Sequence, residues 1–139
     1  MSHAEREHIL VLARNSLLKA LPDAWVIYVF GSFARGEDWP SSDLDLAVLL
    51  PQGRRIEDLL GIMSDISARV HREVDIVDLR RAGDVLRREV LSDGQALYVS
   101  EPDQVLAWEA AAMSRYARHR EEIRDILEEF RRTGVGYRA

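Results

Sequence analysis

The chain has no cysteine, which excludes disulfide bonds and metal sites built from thiolates. No apolar run approaches the ~20 residues that a membrane-spanning helix needs. The first ten residues, MSHAEREHIL, are charged and lack the apolar core of a signal peptide. We therefore expect a cytoplasmic protein that neither spans nor binds a membrane.

Lysine and net positive charge are also scarce. Lys19 is the single lysine among 19 basic residues, and the formal net charge is −5. Genome composition is the simplest explanation of the arginine excess, although arginine is also the better group for planar recognition of phosphate. The acidic balance disfavours non-specific binding to nucleic acid, so no stable nucleic-acid complex is expected. At 139 residues, the length fits one domain, 1–139.

The hydrophobic pattern alternates between helical and extended segments. Apolar spacings of three and four residues predict amphipathic helices, and short β-branched or aromatic runs predict strands. The predicted order is a helix over 3–20, strands over 25–30 and 43–50, a helix over 55–72, a strand over 73–79, a helix over 82–92, a short edge strand over 95–99 and a long helix over 102–132. Residues 133–139 are expected to form a flexible tail.

Two aspartates, Asp43 and Asp45, lie in the strand predicted over 43–50. Residues i and i+2 of a strand face the same side, so these carboxylates project together and repel each other. A bound Mg²⁺ ion would remove that penalty, since Mg²⁺ prefers oxygen ligands and is often held by one or two carboxylates together with substrate phosphates. A third carboxylate on the next strand would allow a second ion, and two ions could clamp an in-line phosphoryl displacement. Asp75 is the preferred candidate and Asp78 its rival.

A glycine–serine turn, Gly31-Ser32, follows the first predicted strand and opens a short helix. Free backbone N–H groups at such a turn favour anions, and glycine lets a phosphate approach the backbone closely. The Ser32 hydroxyl can donate one more hydrogen bond, and Arg35 can add positive charge. Each feature alone is more often ordinary turn or surface chemistry. Together with the aspartates they predict a site for a polyphosphate tail and its magnesium ions.

The segment GSFARGEDWPSSDLDL resembles the signature of the DNA-polymerase-β-type nucleotidyltransferase superfamily in its minimal form. Over nearly the whole chain, the sequence is similar to the MntA-like adenylyltransferase antitoxins of HEPN/MNT (HepT/MntA, type VII) toxin–antitoxin pairs. The resemblance implies an α/β fold of the α+β type, with a small mixed sheet flanked by helices. It also implies ATP as substrate, with Gly31 and Ser32 at the triphosphate and Asp43, Asp45 and Asp75 on two Mg²⁺ ions.

The resemblance further implies that AMP is transferred from ATP to a tyrosine of a HEPN ribonuclease toxin, which is thereby silenced. Chain length supports an acceptor on another molecule, because the predicted core uses residues 1–100 and leaves one helix and no second domain. That helix, 102–132, is longer than the small sheet requires, so part of it is expected to contact the partner. Trp108, Met113 and Tyr116 are residue types enriched at interfaces.

Two alternative functions remain open at this point. One is a nucleotidyltransferase that acts on a small molecule or on an RNA end. The other is a non-catalytic antitoxin that keeps the fold and blocks its toxin by contact alone. The missing acceptor domain and the acidic charge weigh against the first alternative. The intact set of three aspartates weighs against the second.

Overall fold

The computed structural model describes residues 1–37 and 43–133. Its elements in chain order are α1 (His3–Ala20), β1 (Val26–Phe30), α2 (Gly31–Ala34), β2 (Leu44–Leu49), α3 (Leu59–Val70), β3 (Val74–Asp78), α4 (Asp84–Asp93), β4 (Gln95–Val99) and α5 (Pro102–Thr133). The four strands form one sheet in the order β3-β2-β1-β4. β2 and β3 are parallel, and the other two pairs are antiparallel. The predicted mixed sheet flanked by helices is therefore confirmed.

Two predicted boundaries are corrected. The strand predicted over 43–50 begins at Leu44, where the Leu44 N–H donates to the Glu73 carbonyl at 2.9 Å, so Asp43 precedes β2 and is not part of it. The helix predicted over 55–72 begins only at Leu59, because the Asp58 carboxylate accepts the Gly61 N–H at 3.1 Å and caps it.

Parts of two predicted segments, the loop before β2 and the C-terminal tail, lie outside the described residues. The long helix ends at Thr133, one residue beyond its predicted end, and residues 134–139 of the predicted tail lie outside the described residues. The same holds for residues 38–42 of the Gly-, Pro- and Ser-rich loop before β2. Over the ranges 1–37 and 43–133, no helix has the length and apolarity needed to cross a bilayer.

The sheet separates two layers of buried apolar side chains, as expected when successive residues of a strand face opposite sides. On one side, Leu17 of α1 and Ile66 of α3 pack with strand residues such as Leu46. On the other side, Val90 of α4 and Val105 of α5 pack with strand residues such as Tyr28, Ala47 and Leu49. Helices α1 and α3 thus cover one face, while α4 and the start of α5 cover the other.

Helix α5 has a packed proximal half, residues 102–116, and an exposed distal half, residues 117–133. In the proximal half, Trp108 packs beside the second core, and its ring centroid lies 5.6 Å from the Arg87 guanidinium carbon. The Tyr28 hydroxyl of β1 donates to the Glu109 carboxylate. Burial is the larger cause of the raised pKa of Tyr28, and this hydrogen bond raises it further. The phenol therefore stays protonated and ties α5 to the sheet. All residues of the distal half are exposed.

Candidate active site

The parallel pairing of β2 and β3 brings two carboxylates to the same level of the sheet. Asp45 of β2 lies in register with Asp75 of β3. Ala47 and Val77 come two residues after Asp45 and Asp75 and face α4 and the proximal half of α5. Because residues i and i+2 of a strand face the same side, the two carboxylates share that face. Asp43 comes directly before β2 and is exposed, whereas Asp45 is half-buried.

Asp78, the rival third carboxylate, lies at the other end of β3 and is engaged there. It is in register with Val48, and its carboxylate accepts the Arg80 N–H at 3.1 Å. A second oxygen of the same carboxylate lies 3.7 Å from Arg81 Nε. The residue that stands beside Asp45 is therefore Asp75, and Asp78 closes the turn after β3.

The electrostatics of Asp45 are those of a carboxyl group that is costly to ionise. Burial raises its pKa, and the nearby Asp75 and Asp43 carboxylates raise it further. Glu89 of α4 acts in the same direction, and the Arg35 guanidinium opposes them. A cation bound among these carboxylates would offset the repulsion, which is the situation expected for a metal site that is completed by its ion.

Gly31 brings the predicted phosphate-binding turn into direct contact with this acidic group. β1 ends at Phe30, which is in register with Asp45, and the chain then turns at Gly31 with φ +72°. A Cβ atom added to Gly31 would lie only 2.4 Å from Asp45 Oδ2. Any side chain at this position would therefore collide with the carboxylate as well as strain the backbone.

Ser32 and Arg35, the other two predicted nucleotide-binding residues of this turn, differ in exposure. Ser32 is half-buried in α2, and its carbonyl accepts the Glu37 N–H at 3.0 Å. Arg35 caps α2 at its C-terminus and is exposed. Its Nη1 lies 3.3 Å from Asp93 Oδ2, and its Nε lies 3.4 Å from Glu37 Oε2. The Arg35 guanidinium is thus at the rim of the site and is occupied by acidic neighbours.

Sequence reasoning missed two acidic residues of α4, Glu89 and Asp93. Their spacing of four places them on one side of the helix. The sequence contains no signal that this side lies near the aspartates, because that depends on the packing of α4 beside α2. The structure shows it through the contact of Asp93 with Arg35 and through the effect of Glu89 on Asp45.

The donor set fits a hard divalent cation, because Asp43, Asp45 and Asp75 offer only carboxylate oxygens. Within residues 1–37 and 43–133, however, no three histidine, aspartate or glutamate side chains already converge on one point that a metal could occupy. The carboxylates would therefore have to draw together around an ion. Asp45 and Asp75 are held by strand pairing, whereas Asp43 is exposed and precedes the paired residues of β2.

Comparisons with known proteins point to one family. Residues 15–103 match the polymerase beta nucleotidyltransferase family. The chain is 29% identical over 122 residues to the protein adenylyltransferase MntA of Shewanella oneidensis, covering 85% of this chain and 87% of that protein. This similarity to MntA agrees with the resemblance seen in the sequence.

Solved structures show the same fold. A chain in the crystal structure of a toxin–antitoxin with AMP-PNP has a TM-score of 0.70 and 28% identity, covering 83% of this chain and 95% of that one. A chain in the structure of the tri-AMPylated Shewanella oneidensis HEPN toxin in complex with MNT antitoxin has a TM-score of 0.67 and 26% identity, covering 93% and 98%. With a family match over residues 15–103, this chain belongs to the polymerase beta nucleotidyltransferases.

Proposed function

We propose that this protein is an antitoxin that transfers AMP from ATP to a tyrosine hydroxyl of a partner HEPN ribonuclease toxin and so neutralises it. The observation that carries the proposal is the contact between the Gly31 turn and Asp45, with Asp75 in register beside it. Donors for a triphosphate and ligands for its metal ions then lie side by side. The similarity to MntA, and to a complex that contains an AMPylated HEPN toxin, supports this choice of acceptor.

The transfer is a displacement at the α-phosphorus of ATP. The tyrosine oxygen forms a bond to the α-phosphorus, the bond from that phosphorus to the bridging oxygen of the β-phosphate breaks, and pyrophosphate leaves. The phenolic proton is lost, and the Asp75 carboxylate can accept it. Most of the acceleration would come from holding the reactants in line and from neutralising charge.

Each site residue has a part in this scheme. The Gly31 and Ser32 N–H groups and the Ser32 hydroxyl would hold the triphosphate, and Arg35 would add charge once it leaves Asp93. Two Mg²⁺ ions, held by Asp43, Asp45 and Asp75 together with ATP, would neutralise the negative charge that develops on the triphosphate.

The distal half of α5 supports an acceptor on another protein. It exposes a stripe of large apolar side chains at helical spacing: Ile123, Ile126, Leu127 and Phe130. Each of these four is 45–49% exposed. A contiguous exposed apolar patch of this kind is typical of a protein–protein contact. It continues the face of α5 that is buried in the proximal half.

The charged residues along the edges of this stripe indicate the charge pattern expected on its partner. Arginines lie along one edge, at positions 120, 124 and 131, and glutamates lie along the other, at 122 and 129. A partner helix with an apolar face, an acidic edge and a basic edge would match it. We propose that the HEPN toxin supplies this helix.

The proposal is tested by following the label of ATP. With Mg²⁺ and the proposed HEPN partner, label in the α-phosphate should appear on that partner, whereas label in the γ-phosphate should not. Chelation of Mg²⁺ should prevent the transfer. Asp78→Asn is the matched control, since Asp78 lies on the same strand as Asp75 but outside the site, and this variant should keep transferring AMP. Transfer of γ-label, or equal transfer with and without metal, would contradict the proposal.

A further inference from the structure

Phe33, the residue after Ser32, is fully buried and is contacted from two distant segments of the chain. The guanidinium carbon of Arg6, in α1, lies 5.2 Å from the centroid of the Phe33 ring. The guanidinium carbon of Arg72, in the turn before β3, lies at the same distance from that centroid. Such distances are those of cation–π contacts, which gain strength where water is excluded.

Arg6 also holds the backbone of the turn. Its Nη2 donates to the Phe33 carbonyl at 2.9 Å, and its side chain is only 18% exposed. Helix α2 has only four residues, and the Phe33 carbonyl near its end also accepts the Gly36 N–H, at the longer distance of 3.4 Å. A hydrogen bond from a guanidinium is among the stronger bonds that such a carbonyl can accept, because the donor is charged.

Arg72 links the same turn to the strand that carries Asp75. The Arg72 carbonyl accepts the Ser67 hydroxyl at 2.6 Å, which fixes the turn between α3 and β3. The next carbonyl, that of Glu73, accepts the Leu44 N–H at 2.9 Å at the start of β2. The Phe33 ring therefore lies where α1, the phosphate-binding turn and the two aspartate strands meet.

We propose that Arg6 is a positioning residue for the nucleotide site, although it does not touch the nucleotide. By holding Phe33, with Arg72 at the same ring, it sets the distance between the Gly31–Ser32 donors and the Asp45 carboxylate. That distance leaves little tolerance, because even one added carbon, a Cβ on Gly31, would lie only 2.4 Å from Asp45 Oδ2. A shift of this turn would separate the groups that bind the triphosphate from those that bind its metal ions.

The inference rests on the proposed function, since it assigns Arg6 to an ATP site. The competing explanation is that Arg6 only stabilises the fold. A residue that only stabilises the fold would change the melting temperature and leave the affinity of the folded protein for ATP unaltered. A positioning residue would change that affinity in protein that is still folded at the temperature of the assay.

The experiment measures the Kd for ATP with Mg²⁺ by calorimetry, together with the KM for ATP, kcat and melting temperature. Arg6→Gln should raise Kd and KM on the order of tenfold, with a smaller change in kcat, because the released turn no longer holds the Gly31–Ser32 donors at the right distance from Asp45. Arg6→Lys, which keeps the charge, should recover part of this loss. Arg14→Gln is the matched control, because Arg14 lies on the same helix and its Nε donates to Asn15 Oδ1 at 3.2 Å rather than to the phosphate-binding turn. This variant should bind ATP like the wild type.

If Arg6→Gln binds ATP with the wild-type Kd, the inference is wrong, whatever its melting temperature. Where Arg6→Gln does not fold, Phe33→Leu replaces it, because leucine keeps an apolar core residue and removes the ring. Phe33→Leu should then raise the KM for ATP, and an unchanged KM would overturn the inference. If the wild-type protein does not bind ATP at all, the proposed function itself is wrong. If the wild type binds ATP and Arg6→Gln binds it equally well, only the inference about Arg6 is wrong.

Discussion

The acidic end of the sheet and the distal half of α5 are built in opposite ways. At the sheet end, Gly31, Asp45 and Asp75 come from separate elements and are held together by strand register and direct contact. In the distal half of α5, one continuous helix presents an exposed apolar stripe. The first region is suited to nucleotide chemistry but presents little contact surface. The second presents a large contact surface but none of the proposed site residues. We therefore expect the two to be separable by mutation.

The largest effect is expected at the acidic end. Asp43→Asn should reduce AMP transfer to background, because one of the three proposed metal ligands loses its charge. Partner binding should stay at the wild-type level, because the distal half of α5 is unaltered. Transfer from α-labelled ATP, beside a binding titration with the partner, measures both quantities. Full transfer by this variant would contradict the assignment of Asp43 to the metal site.

The reverse result is expected from the distal half of α5. Leu127→Asp combined with Phe130→Asp should weaken partner binding at least ~10-fold, as for the loss of apolar anchors at the centre of an interface. The Kd for ATP should not change. Glu121→Ala is the matched control, since helical spacing places Glu121 opposite the stripe. If the double variant binds the partner normally while the melting temperature is unaltered, the partner contacts another surface.

A smaller effect is expected from Ser32→Ala. The variant loses one hydroxyl donor to a triphosphate oxygen, and a net hydrogen bond is worth roughly 0.5–1.5 kcal/mol, or more when it meets a charged group. The Kd for ATP should therefore rise up to about tenfold, with partner binding unaffected. A titration of ATP against wild type and variant decides the point. Identical Kd values would mean that the Ser32 hydroxyl does not contact the nucleotide.

The smallest effect concerns the stability of the metal-free protein. The folded state raises the pKa of Asp45, so the unfolded chain gives up that proton at lower pH. Stability from this group is present below the ordinary aspartate pKa of about 3.9 and is lost as pH rises through the raised value. Asp45→Asn removes this loss. With metal chelated, it should melt above the wild type at pH 7, and the difference should shrink as pH falls. A variant that melts below the wild type at every pH would contradict this account.

The sequence predicted the parts of the site that depend on local spacing. The motif from Gly31 to Asp45 predicted residues that the structure brings together at one end of the sheet, and the periodicity of α5 predicted its length to within one residue. The parallel pairing that sets Asp45 beside Asp75 depends on strand order, which no local pattern specifies. For the same reason, the pairing of Arg35 with Asp93 could not be predicted.

Two errors have local physical causes. Asp43 was predicted to lie within the strand, but the hydrogen-bonded ladder starts one residue later, at Leu44. Periodicity also could not tell where along α5 the core ends, because the same apolar face continues from the packed half into the exposed half. Trp108, a residue type enriched at interfaces, is half-buried and packs against the second core.

The central claim is that this chain modifies its partner covalently, and intact-mass spectrometry of the partner tests it most directly. The proposed HEPN partner is incubated with ATP and Mg²⁺, with the wild type or with Asp43→Asn. The account predicts a mass increase in steps of one AMP with the wild type and no increase with Asp43→Asn. A partner that gains no mass but is still neutralised would contradict the account and favour a non-catalytic antitoxin. A partner that is neither bound nor modified would also contradict the account, and would favour a small-molecule or RNA acceptor.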